Sequence, residues 1–271
     1  MKTVLILFLF VFVGVWFLKG EDKNLKQSFA GKSVVNGLVN KVEADQMGGG
    51  KPVVASLLKS WTPDFDEPSA EVLLISIASS NYPEEMKKDF RKSSDNLKIK
   101  GSFSGGKVTH EFVSDNFLKR RALELGGVEG VRKRLSYSSV DLARVLPDMD
   151  IVGADRTGVF IPEKGWGSAF YLLNERNDVR RVELSEIYLG NNDTSVRRFS
   201  DNVNDYIAGA PATVERLYDS NKKEIINVHW SSGGRDFSIS TLNMNRAEAM
   251  AIAEKISLDV KKVNEQNGSR Q

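Results

Sequence analysis

The stretch Thr3 to Leu18, TVLILFLFVFVGVWFL, contains no charged residue and is followed at once by Lys19-Gly20-Glu21-Asp22-Lys23. A helix this apolar has no polar face to turn toward water, so it cannot lie exposed on a soluble domain. Its place near the N-terminus makes it a target for the secretion machinery, as a cleaved signal peptide or a retained signal anchor. Cleavage needs small residues before the scissile bond, yet Val15-Trp16-Phe17-Leu18-Lys19-Gly20 is bulky except at its last position. Retention is therefore the expectation, with secretion or periplasmic release after cleavage as the alternative. The run spans only about 24 Å as a helix, against a hydrocarbon core of about 30 Å. Trp16 at the interface and snorkelling of Lys2 and Lys19 close part of that gap. The expected location is the cell (inner) membrane, single-pass, with the bulk of the chain outside the cytoplasm.

Four regions are expected: a leader over 1–20, a juxtamembrane helix and linker over 21–68, an α/β region over 69–150, and a β-rich region with a C-terminal helix over 151–271. The fold class predicted for the folded part is α+β. From Lys23 to Val42, apolar residues recur at helix-like spacing, interrupted by Gly31 and Gly37. Gly48-Gly49-Gly50-Lys51-Pro52 and the proline-bounded segment Trp61 to Pro68 read as linker.

In the third region Glu71 to Ser79 reads as a buried strand, and Tyr82-Pro83-Glu84-Glu85 opens a helix to about Ser93. Leu97 to Phe103 and Lys107 to Val113 alternate around Ser104-Gly105-Gly106, which predicts a hairpin. Ser114-Asp115 starts a helix from about Asn116 to Leu125; Gly126-Gly127 breaks it, and it resumes over Val128 to Leu135. Ser138 or Ser139 opens a last short helix ending at Val145-Leu146-Pro147.

Beyond Ile151 the texture becomes that of strands, at Val159 to Ile161, Ala169 to Leu173, Val179 to Leu189, Glu224 to Trp230 and Asp236 to Thr241. Ile226, Val228 and Trp230 share one face, Ser231-Ser232-Gly233-Gly234 turns, and Phe237, Ile239 and Thr241 share one face of the return. Asn245 and Glu248 occupy the N-cap and N3 positions of a capping box. The helix that follows carries a stripe of Ile252, Ile256, Val260 and Val263, expected to cover Trp230 and its neighbours.

Composition narrows function. Lys+Arg 38 against Asp+Glu 36 leaves a net charge of +2, without the basic excess that nucleic-acid binding demands. The absence of cysteine removes disulfides, thiolate metal sites and a cysteine-linked lipid anchor. His110 and His229 are the two histidines, with no H-x-H or H-E-x-x-H spacing, so zinc is not expected and no cofactor motif stands out. A serine hydrolase would have to use one of them. His229 beside Ser231-Ser232 is the candidate, but no G-x-S-x-G elbow occurs, and Gly165-Trp166-Gly167-Ser168 does not match it. A polar position on the solvent face is the expectation for His229.

Asp64-Phe65-Asp66-Glu67 lacks the D-x-D-x-D-G calcium loop, and Gly48 to Lys51 lacks the spacing and the Ser/Thr of a P-loop. The basic triplets Lys119-Arg120-Arg121 and Arg132-Lys133-Arg134 are separated by Gly126-Gly127 and do not form one stripe; they read as solvated charge. Asn192-Asp193-Thr194 and Asn267-Gly268-Ser269 fit the glycosylation acceptor pattern.

The C-terminal third also carries Gly209-Ala210-Pro211-Ala212, Val228-His229-Trp230, Gly234-Arg235-Asp236-Phe237-Ser238-Ile239 and Glu248 to Ile256 (EAMAIAEKI). In these it resembles an uncharacterised bacterial extracytoplasmic domain that pairs a GxPA turn and a strand tryptophan with a YxIxG-type strand and an ExxxIAES-type helix. Ser240-Thr241 and Lys255 depart from that pattern. The family occurs in envelope proteins and at the sensory ends of anti-sigma-factor regulators and has no established catalytic residues. The resemblance implies an interaction or sensing module facing the envelope. The function expected is thus a membrane-anchored, non-enzymatic binding or sensing module, held in the membrane by Thr3–Leu18 and meeting an envelope protein or lipid. The alternative is a secreted or anchored hydrolase with its site near His229.

Overall fold

The computed structural model describes residues 71–105, 110, 112–175, 180–190 and 195–268. The leader, the juxtamembrane segment and linker, the Asp64 to Glu67 loop, and the Asn192 to Thr194 sequon lie outside the described residues, as does Ser269. In chain order the elements are β1 (Glu71–Ile75), α1 (Glu84–Lys100), α2 (Asp115–Glu124), α3 (Gly127–Arg132), α4 (Leu142–Val145), β2 (Met149–Ile161), β3 (Gly165–Glu175) and β4 (Arg181–Tyr188). There follow β5 (Ser195–Phe199), β6 (Asp205–Ile207), β7 (Ala210–Tyr218), β8 (Glu224–Ser232), β9 (Arg235–Leu242) and α5 (Arg246–Gly268). Seven strands form one sheet in the order β2-β3-β4-β9-β8-β7-β6, antiparallel at every pairing. The fold is α+β, an antiparallel sheet closed by a C-terminal helix. No helix of the described residues is long and apolar enough to cross a membrane.

The β8–β9 hairpin forms for the reasons its sequence gives. Trp230 lies opposite Phe237, Val228 opposite Ile239 and Ile226 opposite Thr241, and all six are buried. The turn is shorter than expected, because β8 runs on through Ser232. Only Gly233 and Gly234 turn, both at positive φ (56° and 69°), where tight two-residue hairpin loops need glycine. At the start of α5 the capping box closes reciprocally: Glu248 N–H donates to Asn245 Oδ1 at 3.0 Å, and Asn245 N–H to Glu248 Oε2 at 2.8 Å.

The buried stripe of α5 differs from the expected one. Ala249, Ala253, Ile256 and Val260 are the fully buried positions, while Ile252 and Val263 are half-buried. The spacing i, i+4, i+7, i+11 is that of one helix face, and its two alanines let the helix approach the sheet closely. A stripe drawn through the larger side chains alone misses them.

Helices α2 and α3 break at Gly126-Gly127, both at positive φ, as the sequence predicts. Ser114 is the residue before α2, but its side chain makes no capping bond; its carbonyl accepts from Phe117 and Leu118. The hairpin predicted over 97–113 does not form. Helix α1 continues to Lys100 and ends at Gly101, a left-handed residue (φ 71°) whose N–H donates to Leu97 O. In Leu97-Lys98-Ile99-Lys100 the alternation is that of opposite helix sides, with Leu97 buried and Ile99 80 % exposed.

Strand β1 is also not a buried strand of the main sheet. It pairs in parallel with β5 in a separate two-stranded ladder, and only Ile77 just beyond it is fully buried. Strands β5, β6 and β7 were not expected. The edge of β7 beyond β6 is filled by other groups: the Asn204 side-chain amide bonds both Val214 N and O, Arg216 N donates to Gly101 O, and His110 N donates to Tyr218 O. An edge with its hydrogen bonds already occupied does not recruit another chain.

Candidate functional site

One face of the sheet holds the core with α5. The register places polar residues on the other face in cross-strand rows. Thr213, His229, Ser238 and Ser185 form one row, and Glu215, Asn227, Ser240 and Glu183 the next. Alternation with apolar residues made these positions look like a solvated face. The structure instead lays chain across them, from residues 101–103, 110–115 and 198–202.

The centre of this face is Asp236, 2 % exposed. Its carboxylate accepts from Arg198 of β5, lies 3.0 Å from His229 Nε2, and accepts from Ser231 Oγ at 2.6 Å. Burial alone would raise its pKa; Arg198 first, then His229 and Ser231, hold it down at about 2. His229 is driven the other way from a usual carboxylate-paired imidazole. Burial and then the Arg198 charge lower its pKa, and Asp236 only partly offsets them. At neutral pH the ring is neutral, and since a carboxylate only accepts, Nε2 carries the proton. His229 is therefore not a solvent-face residue: 17 % of its side chain is exposed. The expectation failed because alternation fixes which face a residue takes, not whether that face is covered.

His229, Ser231 and a carboxylate do come together, but in the wrong order for acyl transfer. A triad needs the imidazole between hydroxyl and carboxylate, so that it takes the nucleophile's proton. Here the carboxylate is in the middle, and the hydroxyl proton of Ser231 points at Asp236. What the arrangement does is tie β5, through Arg198, to the β8–β9 hairpin.

Glu183 and Glu215 fix the covering chain in the same manner. Glu183 Oε1 accepts from Val113 N–H, and His110 Nε2 lies 3.4 Å from its other oxygen. Glu215 Oε1 accepts from Phe103 N–H at 2.9 Å and from Ser102 Oγ at 3.3 Å. Burial raises the Glu215 pKa to about 7, against those two donors and His110. Between the two acids, Asn227 Oδ1 accepts from Ser238 and Ser240 hydroxyls at 3.3 and 3.4 Å. Arg181 ion-pairs with Asp115 at 2.7 Å and lies over the Phe112 ring, so the segment before α2 is clasped on both sides.

On the core face Glu186 is fully buried and pairs with Arg235 at 2.7 Å. Burial pushes its pKa up to about 7, although Arg235 and the Val140 N–H act in the opposite sense. The guanidinium of Arg235 in turn covers the Tyr137 ring, which stacks on Tyr188.

The basic triplets are also partly committed to structure. Arg121 binds Asp155 and Glu124, Arg132 binds Glu129, and Arg134 donates to the carbonyls of Leu125 and Gly130. Among the described residues no three His, Asp or Glu side chains converge as metal ligands. Gly165 to Ser168 opens β3 rather than a strand-to-helix elbow. Sequence reasoning did not single out Arg198, Asp236, Glu183 or Glu215. A signal existed for the two glutamates: each is an acid set inside an apolar strand, Val182-Glu183-Leu184 and Val214-Glu215-Arg216-Leu217. No family model, curated protein or solved structure matches the chain.

Proposed function

We propose that the chain is a membrane-anchored extracytoplasmic protein whose folded part is a non-enzymatic binding or sensing module. The leader Thr3–Leu18 supports the anchored location, and an envelope protein or lipid is the partner such a placement offers. The observation that carries the non-enzymatic reading is the bonding order at Asp236. The only histidine–serine–carboxylate group of the described residues has its acid in the centre, so the serine is not activated by the imidazole. Two measurements test the reading. N-terminal sequencing of protein taken from native membranes should begin at or near Met1, and a start near Glu21 would remove the anchor. A fluorophosphonate probe should leave Ser231 unlabelled in the intact protein.

The alternative, a hydrolase with its site near His229, is favoured by one contact, the 3.0 Å pair of His229 with Asp236 on the strand that also carries Ser231. It requires the Ser231 hydroxyl to swing from Asp236 to the imidazole. Covalent labelling lost in Ser231→Ala and in His229→Ala would establish it in place of the first reading.

A further inference from the structure

The β2–β3 ribbon outruns the rest of the sheet. Its pairing continues to Phe160 with Trp166 and Ile161 with Gly165, whereas β4 joins β3 only from Ser168 onward. The base of this projection is held by the segment after α3: Trp166 N–H donates to Arg134 O and Ser136 N–H to Trp166 O, each at 2.9 Å. At the tip Val159 and Phe160 are 53 % and 54 % exposed. Successive residues of an extended strand point to opposite sides, so the tip is apolar on both. Behind it the Phe160 and Trp166 rings meet with centroids 5.6 Å apart, and the Arg156 guanidinium lies 5.1 Å over the indole. Lys133, Arg134 and Lys164 are exposed around this base, with Glu163 the acid among them.

We propose that the tip of the β2–β3 hairpin dips into the headgroup region of an anionic phospholipid bilayer. The layering has the chemistry of that interface. Val159 and Phe160 reach the acyl boundary, Trp166 sits at the level where indoles concentrate, and the surrounding cations meet lipid phosphates. A protein partner would cover one side of a ribbon; an apolar tip exposed on both sides suits a medium that surrounds it. The inference rests on the membrane-anchored reading for the presence of a bilayer near the domain.

The full chain contains no cysteine, so single cysteines report without interference. Val159→Cys and, at the opposite end of the sheet, Asn221→Cys are labelled with a polarity-sensitive fluorophore. Each full-length protein is reconstituted with phosphatidylcholine vesicles, with or without phosphatidylglycerol. Flotation reads anchoring, and quenching by shallow spin-labelled lipid reads contact of the label. The expected result is flotation of both proteins, with a several-fold higher, lipid-quenchable emission at position 159 only. That emission should be stronger with the anionic lipid and be lost on adding Phe160→Asp. Because both residues are exposed, thermal melts of these variants should match the parent. Flotation with an aqueous label at 159, or equal quenching at 159 and 221, overturns the hairpin inference and leaves anchoring intact. Failure to float removes the anchored reading, and this inference with it. A shift at 159 that requires another protein rather than lipid overturns the lipid assignment.

Discussion

Trp230 and Phe237 face each other across the β8–β9 hairpin, their rings stacked with centroids 5.1 Å apart and both fully buried. They stand at the middle of the core face, under the stripe of α5 that contains Ile256. Truncating a buried tryptophan to alanine typically costs about 3–5 kcal/mol, a large part of a domain's stability. Trp230→Ala should lower the melting temperature by well over ten degrees' worth of typical surface variation, or leave the protein unfolded at room temperature. A melt within a degree or two of the parent would show that this pair does not organise the core.

Asp236 predicts a specific acid sensitivity. Its folded pKa of about 2 lies below the unfolded value of about 3.9. Its contribution is therefore present above about pH 4 and is lost as the pH falls toward 2. His229 acts in the same direction, since its lowered pKa makes protonation favour the unfolded chain below about pH 6.5. Asp236→Asn leaves Arg198 buried without its counter-charge, a change that usually costs about 3–5 kcal/mol. Urea unfolding at neutral pH should show that loss, and the variant's stability should vary less with pH in the acid range than the parent's. His229→Ala should cost about 1–3 kcal/mol rather than the near-zero of a surface change.

Glu215 predicts the opposite slope. Its pKa, raised by burial to about 7, lies above the unfolded value of about 4.3. Its stabilisation is complete below about pH 4 and is lost as the pH rises through 7. Glu215→Gln keeps the Oε1 acceptor for Phe103 N–H and Ser102 Oγ but cannot ionise. The variant should gain on the parent in melting temperature between pH 5 and 8, within roughly the range these values span. An unchanged difference across that range would mean that Glu215 ionises as readily folded as unfolded.

The reciprocal bonds of Asn245 and Glu248 give a smaller effect. Asn245→Ala should destabilise by about 0.5–2 kcal/mol, the usual worth of an N-cap side chain. Glu248 also meets Arg180 at 2.7 Å, so Glu248→Ala loses an ion pair besides its share of the cap. A double-mutant cycle on the two residues should return a coupling energy different from zero.

What the sequence determines by itself is what short-range chemistry determines. The two-residue period of Ile226, Val228 and Trp230, the paired glycines at 233–234, the Asn245–Glu248 cap and the break at Gly126-Gly127 each act within a few residues. All are read correctly from the chain, and together they establish an α+β architecture. Tertiary structure decided the rest, because it depends on groups far apart in the sequence. Asp236 meets Arg198 from 38 positions away, Glu183 meets Val113 from 70, and Glu215 meets Phe103 from 112. Period-two alternation sends His229 and Glu215 to the face opposite the core, but it carries no information on what lies over that face. The burial of a polar row, the central place of Asp236 between histidine and serine, and the parallel pairing of β1 with β5 follow only once distant segments close over the sheet.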